Sequence, residues 1–277
     1  MTMNRKQLAL SLALIGATGA ALAQNHLSVT VKFDEPTTAP AAAEPAVKHD
    51  EKALAVIDGY IEKIGGKDLI ASIQSTKMEA SVEIPMAGIT GTMVVSNKAP
   101  GKMAMVMDLP GFGKTESGYD GEVGWSSDPM NGPRLMTDEE ISDMGSQADP
   151  NAAVKYRENY ATIEHAGEVD FNGQKANKIR LVRANGRESF EFYALDTGLM
   201  IGQESVQASP MGEIKIVTFL GDYKEFGGMK APTTMTQNFG PQKLIMKITN
   251  MEINSVDDAA FTRPAAVDQL VKAKKSE

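Results

Sequence analysis

Apolar and polar residues alternate in short runs along most of the chain, and the clearest run opens the series. Met78, Ala80, Val82 and Ile84 interleave with Lys77, Glu79, Ser81 and Glu83; a turn over 85–88 follows, and a second run occupies 89–97. In the third, Met103, Met105 and Met107 interleave with Lys102, Ala104, Val106 and Asp108. A period of two marks a strand with one buried side. Runs at 114–119, 122–127, 161–166, 174–183, 188–195, 200–207, 213–219, 233–238 and 243–253 continue the series, and Asp120-Gly121, Asn172-Gly173 and Asn185-Gly186 supply hairpin turns. Connections this short predict antiparallel pairing, because parallel neighbours need a crossover of about a dozen residues or more.

Ahead of the strands the spacing is helical. Leu54, Ile57, Ile61 and Ile64 recur at three- and four-residue intervals, Asp50 can cap the start, and Gly65-Gly66 supplies a left-handed stop. A shorter helix is predicted over 68–73, with Leu69, Ile70 and Ile73 on one side. Both stripes need an apolar partner, and the sheet beginning at Ser75 is the large one at hand. Residues 128–160 read as loop and helix: Asp128, Pro129, Asn131, Gly132 and Pro133 form turns, Thr137 and Glu140 make a capping box, and Asp149-Pro150 breaks the helix. The prediction is a mainly β chain with helices (α+β), with about ten or eleven strands in one antiparallel meander and one domain over 49–265.

The amino terminus has its own pattern. Arg5 and Lys6 precede an apolar stretch over 8–22, and Ala21 and Ala23 give a small-x-small cleavage site before Gln24. This is the form of a secretory signal peptide, 1–23, and export of this kind implies the periplasm. Residues 24–48 are rich in Ala and Pro and are expected to be a disordered tether; 266–277 read as a charged tail.

Composition removes several chemistries. A net charge of −8 without a clustered basic patch argues against a nucleic-acid partner. The absence of cysteine removes disulfides, thiolate metal sites and a cysteine nucleophile. Of three histidines, His26 and His49 lie in or beside the tether, so a paired-histidine metal site is not expected; His165 reads as a surface partner of Glu164, and as the one candidate base if the chain were a hydrolase. Gly113-Lys114-Thr115 resembles the end of a phosphate loop, but Asp108 stands where that loop needs glycine, so it reads as a turn. Glu188 and Glu191 read as ordinary strand residues, and the expectation is a non-catalytic protein with no cofactor.

An apolar surplus remains. Phe190 and Phe192 share one strand face, Met246 lies among Leu244 and Ile248, and the chain holds 17 methionines against a single tryptophan, Trp125. Either helices cover one side of the sheet, or the sheet curls around an apolar guest. The second explains methionine, which is flexible and polarizable and recurs on surfaces that bind varied apolar ligands.

Several motifs bear on this choice. Tyr60-Ile61 with Ile64-Gly65-Gly66 and Leu69, then Lys98-Ala99-Pro100-Gly101-Lys102, then Gly118-Tyr119-Asp120-Gly121 with Gly124-Trp125, then Asp128-Pro129 with Gly132-Pro133-Arg134, come in this order. Leu195-Asp196-Thr197-Gly198-Leu199, Gly221-Asp222-Tyr223 and Lys230-Ala231-Pro232 follow. Together, over roughly 50 to 264, they resemble exported bacterial proteins of the outer-membrane lipoprotein-sorting, LolA-like superfamily. The resemblance implies an open antiparallel β half-barrel covered by short helices, with an apolar interior that receives lipid or lipoprotein acyl chains. On it, Met78, Val82, Met103, Met105, Met107, Trp125, Phe190, Phe192 and Met246 are expected to line the cavity. The alternative on the same fold is an envelope sensor or scaffold that binds a membrane or envelope protein partner.

Overall fold

Asp50 opens the first helix: its Oδ1 accepts from the backbone N–H groups of Lys52 at 2.7 Å and Ala53 at 3.4 Å, capping α1, Glu51–Lys63. Glu51 in the first turn and Lys63 in the last complement the helix dipole. The helix stops at Gly65, φ 138°, and Gly66, φ 82°, and α2, Lys67–Ser72, follows. These positions come from a computed structural model, which describes residues 47–276 except 139, 142, 143, 145–147, 210 and 211. The stretch read as a signal peptide and nearly all of the Ala/Pro-rich stretch lie outside the described residues.

Six strands then run as a meander: β2 Ser75–Ile84, β3 Ile89–Lys98, β4 Lys102–Leu109, β5 Gly113–Tyr119, β6 Gly124–Asp128 and β7 Gly132–Leu135. Strand β6 starts two residues later than the sequence predicts. Asp120 Oδ1 accepts from Glu122 N and Val123 N, both at 2.9 Å, and this side-chain turn lengthens the hairpin beyond Asp120-Gly121. Strand β7 falls where turn formers predict a loop. Asp128 caps the turn through Met130 N and Asn131 N, and Pro133 is tolerated because β7 ends the sheet and needs no donor outward.

The chain crosses to the far edge before resuming. Strand β1, Lys48–His49, pairs in parallel with β8, Thr162–Phe171; then β9 Gln174–Val182, β10 Glu188–Ala194, β11 Met200–Ser209, β12 Gly212–Phe226, β13 Met229–Phe239 and β14 Gln242–Ile253 form a second meander. The order is β1-β8-β9-β10-β11-β12-β13-β14-β2-β3-β4-β5-β6-β7. The sheet is open and mainly antiparallel, with fourteen strands rather than about ten or eleven: each of the twelve alternating runs forms a strand of its own, and β1 and β7 add to them.

The single meander expected from the turns is in fact two, fused where β14 pairs with β2. Local turn signals specify each hairpin, but nothing local specifies the pairing of Ile245 with Glu83 or of Ile253 with Thr76, residues far apart in the chain. Shifts in register in β14 between Ile248 and Asn250, and in β8 between His165 and Glu168, bend their strands.

The helices cover a different part of the sheet from the one predicted. Ala53, Ile57, Ile61 and Ile64 pack with Ile163, Ile179, Leu181 and Tyr193 of β8, β9 and β10, not over β2 to β4. At the carboxyl end, Ala265–Ser276 forms a helix, α4, packed on β7 with Val267 fully buried; α3, Tyr156–Asn159, is a single turn before β8. The stretch read as a charged tail thus protects the sheet's last edge. Among the described residues no helix is long and apolar enough to cross a membrane.

Candidate functional site

Residues paired across neighbouring strands share a face, so the register assigns each side chain to one side of the sheet. Met93 pairs with Met107, Met235 with Met246, and Met251 with Met78. Met105 and Met107, with Val82, Ile84, Leu109, Ile216, Phe239, Leu244 and Met246, form one buried cluster, against which Met78, Met103 and Met235 pack. This is the inner face. Apart from Ala87 and Phe112 in turns, the cluster draws on strand residues alone, so its side chains cover one another and the sheet bends toward this side.

The same face continues under α1. Ile179 pairs with Glu191, Glu191 with Gln203, Gln203 with Thr218, Thr218 with Gln237, and Gln237 with Leu244. At the opposite end, a Cβ on Gly124 would stand 2.7 Å from Ile141, so the helical stretch after Thr137 also leans on the inner face. The methionine field therefore lies between two covered ends.

The register divides the nine residues picked from sequence. Met78, Val82, Met103, Met105, Met107 and Met246 come together on the inner face. Trp125 pairs with Gly118, and Gly118 with Ala104, which alternates with Met103 and Met105; Trp125 therefore projects from the outer face. Phe192 pairs with Gly202, Gly202 with Phe219, Phe219 with Thr236 and Thr236 with Ile245, again the outer face. There Phe171 stacks on Phe192 at 4.0 Å and lies 5.2 Å from Phe219, while Lys178 Nζ sits 4.0 Å above the Phe190 ring. Alternation within one strand is visible in sequence; which parity of a distant strand shares its side depends on every pairing between them.

Sequence reasoning passed over a second inner-face constellation. Beneath α1 a cavity of about 180 Å³ is bounded by Tyr60, Tyr156, Tyr160 and Tyr193, with Glu191 and Arg183 in its wall. Tyr193 donates to Glu191 Oε2 at 2.5 Å, and Tyr60 meets the Tyr193 ring edge-on at 5.4 Å. Tyr223, which donates to Met200 O at 2.7 Å, backs Tyr60. Burial pushes the Glu191 carboxyl above its ordinary range, against the opposing pull of the Tyr193 hydroxyl and the Arg183 charge. Burial and Glu191 together raise Tyr160 to about 12, so this phenol stays protonated at neutral pH. A signal existed: Glu191 shares strand parity with Tyr193, on the side that carries the apolar face of its neighbour β9. A second cavity, of about 360 Å³, lies beside Pro100, Lys102, Tyr119 and Ile141.

Other candidates resolve simply. His165 is within 2.8 Å of Asn177 Oδ1 rather than Glu164, because adjacent strand residues point to opposite faces; Glu164 instead meets Arg180 at 3.3 Å. Gly113 and Lys114 open strand β5. Among the described residues no three His, Asp or Glu side chains are grouped to hold a metal ion.

No family model and no curated protein matches the sequence. Solved structures do. A LolA superfamily protein from Nitrosomonas europaea superposes with a TM-score of 0.53 at 12% identity, and a DUF1329 family protein from Desulfovibrio piger with 0.52 at 14%. Each comparison covers 76% of this chain and 97% of the other. An open antiparallel sheet, helices laid on its inner face and these superpositions lead to one identification: the chain has the LolA-like fold, in a form divergent in sequence.

Proposed function

We propose that this chain is a non-catalytic periplasmic binding or carrier protein whose inner face receives an acyl chain, from a lipoprotein or another lipid. The observation that carries the reading is the pairing of methionine with methionine across that face: Met93 with Met107, Met235 with Met246, Met251 with Met78. Unbranched thioether side chains repack around irregular apolar guests. A core selected only for stability would favour β-branched residues, which suit a pleated surface and stiffen it.

Polar atoms buried near this field support the same reading. Asn97 Oδ1 and Ser117 Oγ at one end, and Thr218 Oγ1 at the other, have no hydrogen-bond partner among the described residues. A ligand hydroxyl or ester could meet them. The site on this reading is Met78, Val82, Met103, Met105, Met107 and Met246; Trp125, Phe190 and Phe192 stabilise the outer side. The amino-terminal signal pattern supports the compartment.

Lipid extraction of the purified native protein, read by mass spectrometry, together with titration of a fluorescent fatty acid, tests it. Co-purified acyl species and saturable probe binding are expected, with binding weakened in Met105→Gln while circular dichroism is unchanged. No extracted lipid and no probe binding would sink the proposal; a stable protein partner with an empty interior would favour the scaffold alternative.

A further inference from the structure

The cavity beneath α1 has a volume of about 180 Å³. Its chemistry differs from that of the methionine field. Tyr60, Tyr156, Tyr160 and Tyr193 make up its aromatic wall, the Tyr156 ring carrying the Arg157 guanidinium at 4.7 Å, and Ile57 of α1 with Leu181 and Met200 adds an apolar lining. Glu191 and Arg183 put opposite charges into one small chamber.

The two charges are held apart by their own partners. Glu191 is engaged through Oε2 by Tyr193, and the Arg183 guanidinium lies 4.9 Å above the Tyr160 ring. A buried carboxylate is costly unless a cation or several donors meet it. Here it receives the Tyr193 hydroxyl and borders open space. Rings with negative faces beside a carboxylate attract an ammonium group, and a planar guanidinium fixed by stacking suits a phosphate or carboxylate.

We propose that this cavity is a second ligand site that takes a small zwitterion, its ammonium on Glu191 beside the tyrosine wall and its phosphate or carboxylate on Arg183. The site stands apart from the methionine field and does not depend on acyl binding there. The shared chemistry is that of a phosphoethanolamine headgroup and of a free amino acid.

Isothermal titration calorimetry of the full chain with glycerophosphoethanolamine, O-phosphoethanolamine and glycine tests it, with ethanolamine and inorganic phosphate as single-charge controls. At least one zwitterion is expected to bind one-to-one, with each control weaker by about tenfold or more, which is about 1.4 kcal/mol. Glu191→Gln should lose zwitterion binding by a similar factor. Arg183→Met, which leaves the Glu191 carboxylate in place, should weaken the zwitterion and spare ethanolamine. Tightest binding of glycerophosphoethanolamine assigns the site to a lipid headgroup; tightest binding of glycine assigns it to a free amino acid. The proposal is overturned if none of the three zwitterions binds, or if both variants, folded by circular dichroism, bind like the wild type.

Discussion

Gly118 and Trp125 face each other across β5 and β6, and a Cβ on Gly118 would lie 2.5 Å from the indole Cζ2 and 2.9 Å from Cε2. The glycine is required by this approach. Gly118→Ala must push the indole or bend the strand, at an expected cost of about 1–3 kcal/mol, the range for overpacked sites. Trp125 is buried and is the chain's single tryptophan, so its emission reports the shift directly. A variant with wild-type emission and an unchanged urea midpoint would show that the contact is loose.

The inner face should respond to shape more than to chemistry. Met107 is wholly buried, so Met107→Ala is expected to cost about 2–5 kcal/mol, combining lost transfer energy with a cavity. Met107→Leu preserves volume and should cost less than about 1.5 kcal/mol. Urea unfolding with equal slopes for all three proteins separates these values. If methionine is there to accommodate guests, the leucine variant keeps its stability and discriminates more sharply among acyl-chain lengths.

Arg134 and Glu140 make a bidentate pair at 2.8 and 2.9 Å, and the same carboxylate accepts from Thr137 N at 2.8 Å. Glu140 is 1% exposed while the Arg134 side chain is 36% exposed. Removing the arginine strands a buried charge, so Arg134→Ala should destabilise by about 2–4 kcal/mol, somewhat below the range for a fully buried pair. Adding Glu140→Gln to that variant should restore part of the loss. A double-mutant cycle with no coupling would place the contribution elsewhere.

Glu191 gives a pH dependence with a definite sign. Burial raises its folded-state pKa above the ordinary value of 4.5, so the folded chain holds this proton more tightly than the unfolded chain. Stability from this group therefore falls as pH rises from that ordinary value through the raised one, and the penalty is complete above it. Glu191→Gln should melt with the wild type near pH 4 and above it near pH 8. Thermal melts across that interval decide the matter, and a wild-type advantage at pH 8 would mean the carboxylate is better paired than its surroundings imply.

Much of the fold was legible in sequence because its signals are local. Alternation located most of the strands, the Asp50 cap and Gly65-Gly66 bounded α1, and glycine turns marked the hairpins. Strands β1 and β7 escaped because two residues carry no period and because Pro133, a turn former, also suits an edge strand. What only the tertiary structure decided was which pieces share a side. The β14–β2 pairing sets the methionines of β3 and β4 with those of β13 and β14, and sends Trp125, Phe190 and Phe192 to the opposite face. It also carries the inner face under α1, where Glu191 ceases to be an ordinary strand residue. A sequence states the parity of each strand, but the relative parity of strands far apart is fixed only by the register of every hydrogen-bonded pair between them.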